Sequence, residues 1–400
     1  FQIGIYEPDN QAPRRDLVPF FSRRIGLSST GQPVPVIGGA RLTGRAGSQS
    51  LGFLNMQTQA FDGRPGDNFT AARVSRALSS EVSLGAFYFG REATGSADFN
   101  RVGGFDLRVT PVRTLEIEAF AMHSSTFGVA GGWAGRAGFR LDSSHHRARV
   151  GLVHVAYQFR HALGYTRRRG IATLFGNYAL VFKPRNTDGV VRQYSVGPEF
   201  EITGDDKYSQ LLTGIGSLKF GMLFADGGNL TVWGERTTEH LAAPFPIGTS
   251  SLTIRPGEYG FGEFGANYIS NKSATLSGSL ETTAGSFWTG RQRSVNAGLR
   301  VRFNSHVAAS ATLGRSVVHL PEGSYTADLV GVRLDWSFTP RMFLNAFVQY
   351  NGETNTWLSN VRFNLIHRPL SDIYVVCNET RLPTVTRRVL MFKYNHMQAF

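Results

Sequence analysis

Cysteine is almost missing from this 400-residue chain, with Cys377 the single example. That excludes an internal disulfide framework and any cysteine-based zinc site, and Cys377 reads as a packed strand residue. Long apolar runs are missing as well. No stretch of 18 consecutive apolar residues occurs, which excludes an ordinary transmembrane helix. Helical stretches rich in Lys, Ala and Leu are scarce. Acids are outnumbered, 29 Asp and Glu against 42 Lys and Arg, for a formal net charge of +13. A basic balance suits an anionic solute, anionic lipid or nucleic acid. Here the basic residues spread over many short segments without a nucleic-acid-binding fold, which argues against nucleic acid.

Catalytic signatures are equally thin. There is no Walker sequence, no H-E-x-x-H and no G-x-S-x-G. Gly260-Phe261-Gly262-Glu263-Phe264-Gly265 fits G-x-G-x-x-G but opens no helix of a βαβ unit, so it reads as glycine-rich strand. His145-His146, close after Asp142, reads as a solvated turn, since a metal site needs more ligands at fixed spacing. No catalytic residue, metal or cofactor is assigned. No signal peptide is visible and Phe1 is not a natural start, so the expectation is a processed chain with an upstream portion elsewhere.

What the chain has is alternation. Its 46 Gly and 30 Phe, with a mean hydropathy of −0.16, favour strands and tight turns. In Arg291–Asn304, Arg293, Val295, Ala297, Leu299, Val301 and Phe303 share a mostly apolar face opposite Gln292, Ser294, Asn296, Arg300 and Arg302. Val330, Val332, Leu334, Trp336 and Phe338 oppose Arg333 and Asp335; Val361 and Phe363 oppose Arg362. Phe105, Leu107 and Val109 oppose Asp106 and Arg108; Trp133, Ala137, Phe139 and Leu141 oppose Arg136 and Arg140. Period two with opposite faces is the strand signature. The last fourteen residues repeat it in Leu390, Phe392, Tyr394, His396, Gln398 and Phe400. A terminal strand ending in Phe resembles the signal by which outer-membrane barrels are recognised, which makes the barrel-insertion machinery an expected partner.

Connections alternate in length. Short ones fall at Gly47-Ser48, 79–81, Pro111-Val112, Ser144-His145, 271–273, 304–306, Pro340 and Pro369-Leu370; longer ones at 62–68, 94–98, 161–169, 204–215, 240–258, 320–325 and 380–386. Short periplasmic turns and longer outer loops characterise up-and-down transmembrane barrels. Counting from Phe20–Leu27 as the first strand gives about 22 strands, within a range of roughly 18 to 24. The expected fold is therefore all-β, a transmembrane antiparallel up-and-down β-barrel over 20–400, with 1–19 as a periplasmic lead-in or partial plug. A soluble sandwich or propeller needs the same alternation. Strand length, the lack of second-domain punctuation and the terminal Phe favour the membrane.

Site expectations follow from the two faces. Trp133 and Trp357 at the long-loop end, with Phe303, Trp336, Phe338 and Phe400 at the short-turn end, form an aromatic girdle. Arg41, Arg45, Arg108, Arg136, Arg140, Arg300, Arg302, Arg333 and Arg362 line a basic lumen, with Asp106, Glu116, Glu118 and Asp335 as counter-charges. The same residues could instead be a salt-bridge lattice that stiffens the wall. Glu116 and Glu118, roughly 7 Å apart along one strand, also match an inverting glycosidase pair, though paired lumen acids are the plainer reading. Arg167, Arg168 and Arg169, in a long outer loop, suit phosphates of lipopolysaccharide.

Four motifs add a resemblance: Pro19-Phe20-Phe21-Ser22-Arg23-Arg24-Ile25-Gly26, Gly38-Gly39-Ala40-Arg41-Leu42-Thr43-Gly44-Arg45, Asn100-Arg101-Val102-Gly103-Gly104-Phe105-Asp106, and Pro369-Leu370-Ser371-Asp372-Ile373-Tyr374-Val375-Val376. They resemble a family of uncharacterised bacterial outer-membrane barrels that usually follow a family-9 carbohydrate-binding-like domain, sometimes labelled membrane-associated hydrolases. The resemblance implies an integral outer-membrane protein, an upstream carbohydrate-binding-like domain and a glycan-related role; it supplies no catalytic residue. The expected function is a channel or solute-capture component with a basic lumen. A non-transporting anchor for a plug, periplasmic or surface partner is the first alternative. An outer-membrane hydrolase is the second.

Overall fold

The structure, a computed structural model, describes residues 17–28, 31–185, 189–248, 252–369 and 371–396. Among them there is no α-helix, and of 25 strands 21 belong to one antiparallel sheet of barrel topology. The sheet strands are 9 to 17 residues long, enough for a tilted strand to cross hydrocarbon. The other four form two short pairs, Leu17–Val18 with Tyr165–Thr166 and Phe245–Pro246 with Thr253–Ile254.

The segment Phe20–Leu27 is not the first strand. It holds a 3₁₀ turn at Ser22–Arg24, and the sheet begins at Val36–Ala46. The count among the described residues is therefore 21, inside the expected range. Other boundaries also differ. The strand Phe99–Val112 runs through Pro111 because its register shifts between Val109 and Val112, so the turn lies at Arg113-Thr114. The long links expected at 204–215 and 320–325 shrink to 206–210 and to Pro321-Glu322. Tight two-residue turns also occur at the long-loop end, as at Phe127-Gly128, where Gly128 has φ 69°. Positive φ suits a two-residue hairpin and costs glycine least. Length alternation is thus weaker than the expectation.

The chain divides into two compact units, one reaching Leu180 and including Pro198–Ile215, the other made of Val181–Gly197 with Gly216 onward. In each, successive sheet strands pair antiparallel, from Val36–Ala46 to Ile171–Phe182 and from Asn229–Leu241 to Thr386–Tyr394.

In the first unit one face is apolar and open, with Leu84, Phe105, Leu107, Trp133 and Leu152 exposed. The opposite face carries the core: Phe69, Phe87, Phe89, Val102, Phe120, Met122, Val153 and Val155 are buried beneath Leu17, Phe159 and Leu163, which come from outside the sheet. Burying a side chain such as Phe159 stabilises by about 1.5–3 kcal/mol. In the second unit the apolar face is again open: Val332 is 53% exposed and Val361 39%. Neither presses on a second layer. Loop residues 242–248 and 252–256 cover the other face, burying Val318 and Leu320 under Ile247 and Ile254.

Candidate functional site

Alternation places Asn100, Val102, Asp106 and Arg108 on one face of Phe99–Val112, and Glu116, Glu118, Phe120, Met122 and Ser124 on the same face of Leu115–Thr126. The acids therefore stand at the short-turn end and the apolar residues at the long-loop end. Glu116, 6% exposed, is held by Arg140 at 2.6 Å and by Arg108. Glu118 lies 3.5 Å from Arg136, whose guanidinium also covers the Phe175 ring. Asp106 takes a two-point contact from Arg73, at 2.6 and 3.2 Å. Arg73 and Asp106 sit on strands separated by Val82–Ala93, and Gly85 makes their meeting possible. A Cβ on Gly85 would lie 2.3 Å from an Asp106 carboxylate oxygen. Arg73 escaped the sequence reading, although its alternation with Phe69 and Ala71 was the available signal.

At the long-loop end, residues 156–170 turn onto the polar face of the sheet and are pegged there. Asn100 Nδ2 donates to the Arg160 carbonyl at 3.0 Å and its Oδ1 accepts from the Ala162 amide at 2.8 Å; the Arg160 amide donates to Ser124 Oγ at 3.2 Å. Onto this loop lies the segment 17–27. Its Leu17–Val18 pairs with Tyr165–Thr166, and the Phe21 amide donates to the Leu163 carbonyl at 2.7 Å. Phe20 stacks on Phe89 at 5.5 Å, and His161 Nε2 donates to the Pro19 carbonyl. Asn100, Ser124 and His161 were not foreseen, because only the fold brings residues 60 positions apart together.

In the second unit the register assembles two neighbouring rows on the polar face. One runs Arg300, Ser310, Arg333, Phe347, Asn360 and Asn378. The other runs Arg302, Ala308, Asp335, Asn345 and Arg362. Strands about 4.8 Å apart put the Arg300 and Arg333 backbones roughly 10 Å from each other. Arg362 donates to Asn345 Oδ1 at 3.2 Å, and Asn345 Nδ2 to Asp335 at 2.8 Å. Arg333 lies 5.0 Å over the Phe347 ring, and Arg302 donates to the Ser273 carbonyl. Among the described residues none of Arg300, Arg302, Arg333 and Arg362 forms an ion pair. These four therefore differ from Arg73, Arg108, Arg136 and Arg140 of the first unit, which are tied to buried carboxylates, and from Arg315 and Arg388 of their own unit, which pair with Asp328 and Glu379.

Above these rows loop residues 242–248 are held by rings. Phe245, Tyr259 and Phe261 lie 5.6, 5.3 and 5.4 Å from Trp288.

The remaining predicted residues are placed as follows. Arg41 and Arg45 are exposed on the first sheet strand, with Arg45 donating to the Gly47 carbonyl. Trp133 packs on His123 and Trp357 on Tyr350 at the long-loop end; Trp336 packs on Phe338 beside the opposite turns, near exposed Phe303. Phe400 lies outside the described residues. Arg167, Arg168 and Arg169 are exposed, and Arg168 donates to Thr213. His145 lies in the expected turn, while His146 opens the strand His146–Val155, with its ring 2.7 Å from the Tyr178 hydroxyl. Among the described residues no cluster of His, Cys, Asp or Glu is arranged to hold a metal ion.

No protein-family model and no curated protein matches the chain. Solved structures with a similar backbone arrangement include the ferric-catecholate import receptor Fiu from E. coli K12 in an open form (TM-score 0.45, 8% identity, 85% of this chain and 67% of that one). The ferric citrate transporter FecA in its unliganded form matches at TM-score 0.43 and 8% identity, over 86% of this chain and 62% of that one. The siderophore receptor PiuA from Acinetobacter baumannii matches at 0.42 and 11%, over 94% and 78%. This chain thus spans about two thirds of the length of the first two.

Proposed function

We propose that the chain is an integral outer-membrane β-barrel whose polar face lines an aqueous lumen and passes or captures an anionic solute. The observation that carries this is the pair of arginine and amide rows around Arg300, Arg333 and Arg362, with four guanidiniums and a single carboxylate, Asp335. Unpaired guanidiniums on a wall attract anions, and their planar forks suit carboxylates and phosphates. The open apolar faces of both units are the lipid-facing side of this reading: exposed apolar patches this extensive need a nonaqueous neighbour. In each unit a segment lies over the polar face at the long-loop end: 17–27 with loop 156–170 in the first, and loop residues 242–248 and 252–256 in the second. The resemblance carried by the four sequence motifs supports a glycan-derived solute, and the exposed Arg167–Arg169 run supports contact with lipopolysaccharide phosphates.

The test is a reversal potential in planar bilayers under a salt gradient. Wild-type protein shows anion preference, and the double variant R300E/R333E loses or inverts it. A wild-type channel that prefers cations, or a variant with unchanged selectivity, overturns the reading. A silent wild-type protein that co-purifies stoichiometrically with a partner assigns the chain to anchoring instead. Block by acidic oligosaccharides in preference to neutral ones supports the glycan-derived solute.

A further inference from the structure

The geometry points to a proton-operated latch: protonation of His161 releases the segment 17–27 from the polar face of the first unit. The imidazole is half-buried, between the Phe89 ring at 5.5 Å and the Phe159 ring at 6.1 Å. Its Nε2 donates to the Pro19 carbonyl, which fixes the neutral tautomer and joins loop to segment. Its Nδ1 is buried without a hydrogen-bond partner among the described residues. A second proton would therefore arrive at an atom with no acceptor, in an apolar slot.

The charges around the slot are unfavourable to that proton. Arg24 of the segment stands close enough to repel it, and donates to the Gly164 carbonyl next to the slot. Arg160 precedes His161 in the loop, with its guanidinium on the Tyr157 and Phe159 carbonyls. On Val82–Ala93, the strand that carries Phe89, Arg91 is neutralised by Asp67 and Asp98 and Glu92 by Arg101. Asn100, which pegs the loop, is uncharged. No carboxylate is left facing the ring among these groups.

Burial, opposed by the bond to Pro19 and reinforced by Arg24, lowers the His161 pKa from 6.5 to about 4. The sign follows from linkage. The docked state resists protonation while an undocked, solvated imidazole accepts it near 6.5. Docking is thus fully favoured above that pH and weakens up to tenfold per pH unit below it, about 300-fold in total. The segment is otherwise held by a two-residue strand pair, the Phe21 amide, the Phe20 and Phe21 rings, the Arg24 bond to Gly164 and the packing of Leu17 and Ile25. This latch goes beyond the transport reading and does not depend on it, so its test is independent of solute charge.

In a C377S background, a nitroxide on S22C reports the segment's motion by electron paramagnetic resonance in detergent or vesicles, because Ser22 is exposed in the 3₁₀ turn. Wild-type His161 gives a restricted spectrum at neutral pH and a growing mobile fraction as pH falls from 6.5 toward 4. H161L abolishes this pH dependence, whatever its resting mobility, because it has no proton to gain. R24Q moves the midpoint to lower pH, because a docked imidazole that is less repelled loses less docking when it takes the proton. A wild-type spectrum invariant down to that pH, an unchanged transition in H161L, or an unmoved midpoint in R24Q overturns the latch. So does loss of strand signal in far-ultraviolet circular dichroism over the same range, which would mean the sheet itself is melting.

Discussion

The side chain of Asn100 donates to the backbone carbonyl of Arg160 at 3.0 Å, tying a sheet strand to a loop that folds back over it. The loop needs such a peg because its backbone polar groups leave water on an apolar surface. N100L removes both bonds to the loop and orphans the Ala162 amide. The expected cost is about 1–3 kcal/mol. Amide exchange across residues 156–165 should accelerate, with the strands Phe99–Val112 and Leu115–Thr126 unaffected.

Glu116 accepts from Arg108 and Arg140 together. E116Q leaves two guanidiniums without a carboxylate, one of them largely solvated, so a loss of about 2 kcal/mol is expected. Urea unfolding from lipid vesicles measures it. The double change E116Q/R140M should recover part of the loss, since the uncompensated charge is what destabilises.

Gly85 and Gly103 form a matched pair of tests. A Cβ at Gly85 meets Asp106 at 2.3 Å, whereas at Gly103 nothing lies within 4 Å. G85A should break the Arg73–Asp106 contact and cost about 1–3 kcal/mol. G103A should be near neutral, and equal costs at both positions would count against the role given to Gly85.

Val332 and Arg333 are adjacent and face opposite ways. V332R puts a guanidinium on the apolar face, where lipid exposure costs about 2–4 kcal/mol at mid-depth. R333V should leave unfolding free energy within about 1 kcal/mol, because exposed cation–π contacts are weak. Anion preference should fall in R333V and persist in V332R. Reversal potentials and vesicle unfolding together decide it.

Much of the fold was legible in the sequence because strand alternation leaves a direct mark: residues such as Val330, Val332 and Leu334 share a face whatever they pack against. Boundaries were less legible where register shifts intervene, as at Val109 to Val112, since a bulge leaves no compositional trace. Phe20–Leu27 looked like a strand by its apolar content. Those residues instead serve as packing for the loop, and nothing local distinguishes the two uses.

By itself the sequence determined that this is an all-β chain of short antiparallel strands with an oily and an arginine-bearing side. That much is local, set by side-chain alternation and turn residues over a few positions. Only the tertiary structure decided which arginines are spent on carboxylates and which stand free. Arg73 meets Asp106 across an intervening glycine, while Arg300 and Arg333 fall into one row opposite serine. Partner choice across strands depends on register, and register is a property of paired chains that no single strand's sequence contains.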